Sequence, residues 1–291
     1  MKNKRVLCEQ AYMLVLFVFS SFTLSPLSAV ENLPPPETNR PLIQASLCNF
    51  TAFDDTEQSY LEHIPNGFDE TKKTTLIVAL HGHGSDLGQI FNGVHAEYNA
   101  VLDVAANHNA IVVSPQYRGT TSWMGPAAEK DVVQIIAEQK SKRRIDRVLI
   151  TGASMGGSSS LTFAALHPEL VDAIVAMNGT ANHLEYEHFQ DAISESYGGS
   201  KDRIPQEYKK RSAEYFPENF LGKSVAITLG TLDTVVEPDS ARRLALILKK
   251  IGVDVLLIEQ ENEGHRTVYI DAKNALEYVF NKLDAPDESI Q

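Results

Sequence analysis

Cysteine is almost missing from this chain, with two in 291 residues, Cys8 and Cys48. Only Cys48 lies beyond the N-terminal apolar stretch, so a mature form cut after that stretch has no intramolecular disulfide. Neither cysteine has the spacing of a metal site. Cys48 reads as a small buried hydrophobe. Tryptophan occurs once, as Trp123. Positive charge is also short, 26 Lys and Arg against 38 Asp and Glu, for a formal net charge of −12. So acidic a chain is a poor partner for nucleic acid or an anionic membrane. Apolar runs are scarce too. The one long run, Ala11 to Leu24, is too short to span a bilayer comfortably.

That run has a specific setting. Lys2, Lys4 and Arg5 precede it, and Ser25-Pro26-Leu27-Ser28-Ala29 follows it. This is the layout of a secretory signal peptide over residues 1–29, with cleavage expected after Ala29. A secreted or periplasmic protein with no stable membrane anchor is expected. Cys8 lies ahead of the run and is not placed like a lipoprotein cysteine. Cleavage removes three basic residues and one acid, Glu9, and takes the net charge from −12 to −14. Residues 30–44 contain Glu31 to Arg40 (ENLPPPETNR) and read as a stiff proline-rich linker. Residues 284–291 read as a frayed acidic tail. The stretch between, 45–283, is long enough for one α/β catalytic domain.

Within it, strand-like and helix-like segments alternate. Gln58–Ile64 reads as a strand, followed by a turn at Pro65-Asn66-Gly67. Thr75–Leu80 is a strand buried on both faces. Val94–Asn107 is helical, and Ala110–Pro115 is the next strand. Ala127–Lys140 is a helix with positions 132, 133, 135 and 136 on one face. Strand Arg147–Thr151 and helix Gly157–Leu166 follow, then strand Ala173–Met177. Ser224–Leu229, helix Asp239–Ile251, strand Val253–Glu259 and helix Thr267–Lys282 complete the series. This alternation predicts a mostly parallel central sheet with helices on both faces. Residues 178–222 interrupt it and are expected to form a lid-like insertion at the carboxyl edge of the sheet.

The chemistry concentrates at that edge. Gly152-Ala153-Ser154-Met155-Gly156 stands between a strand and a helix, where a tight turn pushes the serine hydroxyl out and small neighbours let the backbone bend. Ser154 is therefore the candidate nucleophile. A serine needs a base to take its proton and a third group to hold that base. Asp233 follows strand 224–229, and His265 follows strand 253–259, giving the chain order Ser, acid, His. Asp239 is the alternative acid, although opening a helix after Pro238 fits a capping role. His167, in Leu166-His167-Pro168-Glu169 at a helix end, reads as structural.

Oxyanion donors are expected from the N–H of Met155 and from His81-Gly82-His83-Gly84 after strand 75–80, with His83 preferred and Gly82 the alternative. His81 and His83 lack a third ligand, so no metal is expected. His183 to His188 has the wrong spacing for a zinc protease. Tyr117, Arg118 and Trp123 follow strand 110–115. Trp123 and Tyr117 are candidate substrate contacts, and packing of the loop is the equal alternative for the indole.

Taken together, the chain resembles the α/β-hydrolase superfamily. Tyr60 to Gly84 resembles the opening of the catalytic domain in secreted feruloyl, acetyl-xylan and polyhydroxybutyrate-depolymerase-like esterases. Tyr197-Gly198-Gly199, Glu207-Tyr208, Arg211-Ser212-Ala213, Gly230-Thr231-Leu232-Asp233 and Glu263-Gly264-His265 are similar to prolyl-oligopeptidase-type catalytic domains. The resemblance spans residues 45–282 and implies Ser154, Asp233 and His265 as the triad. It departs from the peptidase branch in leaving no room for an N-terminal propeller, and in carrying His83 in the oxyanion loop. The resulting expectation is a cofactor-free serine carboxylic-ester hydrolase for carbohydrate acyl esters or small polyesters. A serine peptidase or aminopeptidase is the alternative, with Glu185, Glu187 or Asp191 as candidate holders of a substrate amine. A non-catalytic binding protein of the same fold is the third reading.

Overall fold

The computed structural model describes residues 43–285. The expected leader (1–29), nearly all of the expected linker (30–44) and tail residues 286–291 lie outside them. Among the described residues no helix is long and apolar enough to cross a membrane.

Among the described residues eight strands form one sheet: β1 (Ser46–Thr51), β2 (Glu57–His63), β3 (Thr75–Leu80), β4 (Ala110–Pro115), β5 (Arg147–Ala153), β6 (Ala173–Met177), β7 (Ser224–Gly230) and β8 (Asp254–Gln260). Their order is β1-β2-β4-β3-β5-β6-β7-β8. β1 and β2 pair antiparallel, as do β2 and β4, and every pair from β4 to β8 is parallel. Among the described residues seven α-helices accompany them: α1 (Ala96–Asn107), α2 (Pro126–Lys142), α3 (Met155–Leu166), α4 (Gln190–Tyr197), α5 (Pro205–Lys210), α6 (Asp239–Lys250) and α7 (Tyr269–Asp284).

Side chains alternate across the pleat, so each buried strand feeds two cores. Leu76, Val78 and Leu80 of β3 join Val132, Ile136, Leu161 and Leu244, contributed by α2, α3 and α6. Ile77 and Ala79 face the other way, among Val101, Val104, Leu276 and Val279 of α1 and α7. A strand apolar at every position is what two covered faces require. The architecture is the α/β-hydrolase fold, a mostly parallel sheet between two helical layers.

The structure corrects the burial of Cys48 and the start of the tail, and it adds detail at β1 and in the insertion. β1 is an additional edge strand, mostly exposed, and its segment carries little apolar alternation to mark it. Cys48 lies on it, half-buried with a free thiol. The 178–222 insertion is partly helical, holding α4, α5 and two short 3-10 turns. Asp284 belongs to α7 rather than to the tail, and Arg147 donates to it at 2.8 Å.

The topology sets the position of the site. From β3 the chain crosses to β4 on one side, then returns over β3 to β5 on the other. The loops leaving the carboxyl ends of β3 and β5 therefore diverge and leave a crevice between them. Residues 81–84 and Ser154 flank that crevice.

Candidate active site

Ser154 joins β5 to α3 with φ 59° and ψ −121°, a backbone conformation costly for a residue with a Cβ. The turn is held in place. Ser154 N–H donates to Met177 O at 2.8 Å and Ser158 N–H donates to Ser154 O at 3.0 Å. A Cβ at Gly152 would lie 2.6 Å from Leu80 O, and one at Gly156 would lie 2.1 Å from the same oxygen. Both glycines are thus the condition for the turn to lie against the end of β3. Met155 is the first residue of α3, so its N–H has no partner within the helix.

Asp233 and His265, 32 residues apart, come from the loops after β7 and β8. His265 Nδ1 lies 2.6 Å from Asp233 Oδ2, and His265 Nε2 lies 2.7 Å from Ser154 Oγ. A proton on Nδ1, directed at the carboxylate, leaves the Nε2 lone pair facing the hydroxyl. Asp233 Oδ1 accepts from the N–H groups of Val235 (2.9 Å) and Val236 (3.0 Å). Burial works to raise the Asp233 pKa, but the His265 hydrogen bond and those backbone donors overcome it and leave it below the ordinary carboxylate value. The group therefore stays anionic beside an imidazole that must become cationic. Asp239 instead opens α6 and accepts from Arg242 at the surface.

Each residue of the 80–84 loop is held separately. Tyr98 OH donates to Leu80 O at 2.8 Å and Tyr117 OH donates to His81 O at 2.6 Å. Gly82 N–H donates to Gln89 Oε1 at 2.7 Å. Trp123 Nε1–H donates to His83 Nδ1 at 3.1 Å, and Gly84 N–H donates to Thr120 O at 2.7 Å. The His83 N–H has no acceptor among the described residues. With the Gly82 N–H engaged by Gln89, the His83 N–H is the one of the two expected loop donors left unpaired among the described residues.

Tyr117 and Trp123 depart from the expectation of substrate contact. Each is 1 % exposed, and each side chain holds the 80–84 loop instead. The indole also packs against Tyr186 and Phe189 of the insertion. Arg118 turns away to Asp54 and Asp131. His183 is buried, His188 pairs with Glu237, and His167 pairs with Glu129. Among the described residues no three His, Cys, Asp or Glu side chains converge as metal ligands.

The insertion is tied down by a buried cation. Arg211 donates to Met124 O and Glu129 at 2.7 Å each, and to Glu207 at 2.8 Å. Phe189, with φ 54°, sets its ring against that of His83, tilted by 45° with 4.4 Å between centroids. Sequence reasoning missed Asn178, at the start of this segment. It has φ 48° and donates to Asp233 Oδ2 at 3.5 Å, and Thr267 donates to its Oδ1. Only a left-handed turn after β6 brings it under the triad, and its sequence signal is limited to an Asn-Gly pair.

A cleft of about 260 Å³ opens beside Ser154, lined by His83, Gln89, His95, Glu97, Arg266 and Asn178 among others. No Leu, Ile, Val or Phe takes part in the lining. Of the insertion, Asn178 alone contributes. Glu185 and Glu187 pair with Arg243 and Lys201, and neither they nor Asp191 line the cleft.

Sequence and structure comparisons agree with this frame. A protein named probable feruloyl esterase C from Aspergillus flavus is 26% identical over 127 residues, 42% of this chain and 47% of the relative. An acylaminoacyl peptidase of Pyrococcus horikoshii superposes with a TM-score of 0.63 at 15% identity, over 83% of this chain and 41% of that one. A substrate-bound fluorophosphonate-binding serine hydrolase of Staphylococcus aureus gives a TM-score of 0.63 at 16% identity, over 82% of this chain and 98% of its own. This chain thus spans less than half the length of the first two. The prolyl oligopeptidase family model matches residues 96–283, a stretch that contains Ser154, Asp233 and His265, and on that match the chain belongs to the prolyl oligopeptidase family of serine hydrolases.

Proposed function

We propose that this serine hydrolase cleaves carboxylic esters through an acyl-enzyme, acting outside the cytoplasm on polar acyl esters such as those of carbohydrates or small polyesters. The observation that carries the reading is the unbroken chain from Asp233 through His265 to Ser154, 2.6 and 2.7 Å long. Ser154 Oγ attacks the ester carbonyl as His265 Nε2 takes its proton. The tetrahedral oxyanion is met by the N–H groups of His83 and Met155, each contributing about 3 kcal/mol to the barrier reduction. His265 then protonates the leaving alcohol, and water attacking the acyl-enzyme returns through the same groups. Asp233 steadies the imidazolium throughout.

The cleft lining supports a polar substrate, since His83, Gln89, His95, Glu97, Asn178 and Arg266 set hydrogen-bonding and charged groups along it. Hydrolysis of p-nitrophenyl acetate by the protein and by Ser154→Ala tests the reading. Turnover confined to the unsubstituted protein is expected, and equal turnover in both would overturn it. Glu97 supports a second reading, amide hydrolysis with the substrate amine held by this carboxylate at the cleft wall. Aminoacyl p-nitroanilides turned over as fast as esters would establish that alternative.

A further inference from the structure

Beside the Asp233–His265–Ser154 chain stands a second run of carboxylate, imidazole and polar group, and it ends on the oxyanion loop. Glu97 Oε1 lies 3.6 Å from His95 Nδ1. Gln89 Nε2–H donates to His95 Nε2 at 3.3 Å. Gln89 Oε1 accepts from Gly82 N–H at 2.7 Å. All three side chains line the cleft that contains Ser154.

The polarity of the run is self-consistent. A carboxylate beside Nδ1 favours the proton on that nitrogen and leaves Nε2 as an acceptor. An acceptor at Nε2 draws the amide NH₂ of Gln89, which turns its carbonyl oxygen the other way, toward Gly82. An amide has one donor end and one acceptor end, so fixing one end fixes the other. The peptide N–H of Gly82 is thereby held against Gln89, away from the reacting carbonyl. The next N–H, that of His83, is the one left without an acceptor among the described residues. Pinning the Gly82 N–H fixes the peptide unit before this glycine, and Gly84 N–H donating to Thr120 O at 2.7 Å fixes the backbone beyond His83, so the unit that carries the His83 N–H is held from both ends although Gly82 itself has soft dihedrals.

We infer that Gln89 is a positioning residue for the oxyanion hole, with His95 and Glu97 setting the direction of its amide, and this rests on the serine-hydrolase reading above. Gln89 touches no reacting atom in this role. Its influence falls on the state in which negative charge has developed on the carbonyl oxygen, so it belongs to kcat rather than to substrate binding.

The test compares Gln89→Leu, Gln89→Glu and His95→Phe with the unsubstituted protein in three assays. These are p-nitrophenyl acetate kinetics, inhibition by an aryl trifluoromethyl ketone that forms a tetrahedral adduct, and the rate of Ser154 labelling by a fluorophosphonate. Gln89→Leu should lower kcat about 10- to 100-fold with KM within about twofold, the range for weakening one oxyanion donor. Ketone affinity and labelling rate should fall in parallel. Gln89→Glu keeps an acceptor for Gly82 N–H and should recover most of the loss, and His95→Phe should show an intermediate loss. A folded Gln89→Leu protein with unchanged kcat and labelling rate would overturn the inference, as would a Gln89→Glu protein no better than Gln89→Leu. If Gln89→Leu does not fold, His95→Phe decides alone, and an unchanged kcat there counts against the inference. Labelling without ester turnover in the unsubstituted protein defeats the ester reading and leaves the Gln89 comparison intact through the labelling rate. Absence of both overturns both.

Discussion

The indole N–H of Trp123 donates to Nδ1 of His83 across 3.1 Å. With that nitrogen serving as acceptor, the neutral ring carries its proton on Nε2, and partial burial lowers the His83 pKa below the ordinary histidine value. Trp123→Phe keeps the ring and removes the donor. One neutral hydrogen bond is worth about 1 kcal/mol, so kcat should fall about fivefold with KM nearly constant. Steady-state kinetics on a p-nitrophenyl ester check this.

Asn178 combines a left-handed backbone with contacts to Asp233 and Thr267. Two variants separate these duties. Asn178→Ala loses both and should cost about 1–3 kcal/mol of stability. Asn178→Gly restores the backbone freedom and should recover part of that stability. Its turnover should stay several-fold below that of the unsubstituted protein. Urea midpoints and kcat measured on both variants check the split.

Gly156 has no space for a methyl group, since its Cβ would meet Leu80 O at 2.1 Å. Backbone against backbone gives way poorly, so Gly156→Ala should cost about 3 kcal/mol or more. Gly252 has φ +87° and open space around its Cβ position. Gly252→Ala should cost only the conformational strain, about 1–2 kcal/mol. Urea denaturation of the two variants compares a clash with a strained dihedral.

Acid should destabilise the fold in two stages. Complete burial holds His183 at about 3. Between its ordinary 6.5 and that value the unfolded chain takes up a proton that the folded one refuses, so stability falls as pH falls through this window. Glu129 follows. Burial acts to raise it, but His167 and Arg211 prevail and hold it at about 2, so its contribution is present above 4.5 and is lost toward 2. His167 opposes the trend. Its pKa is raised by the hydrogen bond to Glu129, and its contribution is present below 6.5 and lost as pH rises through its folded value. Melting temperatures of the protein and of His183→Gln from pH 4 to 8 check the first stage, and the variant should show the flatter acid limb.

Much of this site could be read from local pattern. Ser154 stood out because a small-x-Ser-x-small turn between a buried strand and a helix has few other uses. Asp233 and His265 stood out because each directly follows a strand end on the same edge. Asn178 and Gln89 did not stand out. Their roles arise from contacts 55 and 7 residues away in sequence, and Gln89 sits in a three-residue 3-10 turn, Gln89–Phe91, too short to leave a periodicity. Edge strand β1 escaped notice for the reverse reason, because five of its six residues are not buried. By sequence alone the indole of Trp123 is balanced between stacking and packing, and its burial decides for packing.

The anchoring of the insertion through Arg211 has a kinetic consequence. A guanidinium with no exposure, shared among Met124, Glu129 and Glu207, cannot leave its partners without stranding charge in the interior. A segment fastened that way, which gives only Asn178 to the cleft lining, is expected to stay in place through turnover, so that a substrate should not wait for a gate to swing. Turnover should then follow dissolved substrate smoothly, with no jump where an ester passes its solubility limit and begins to form an interface.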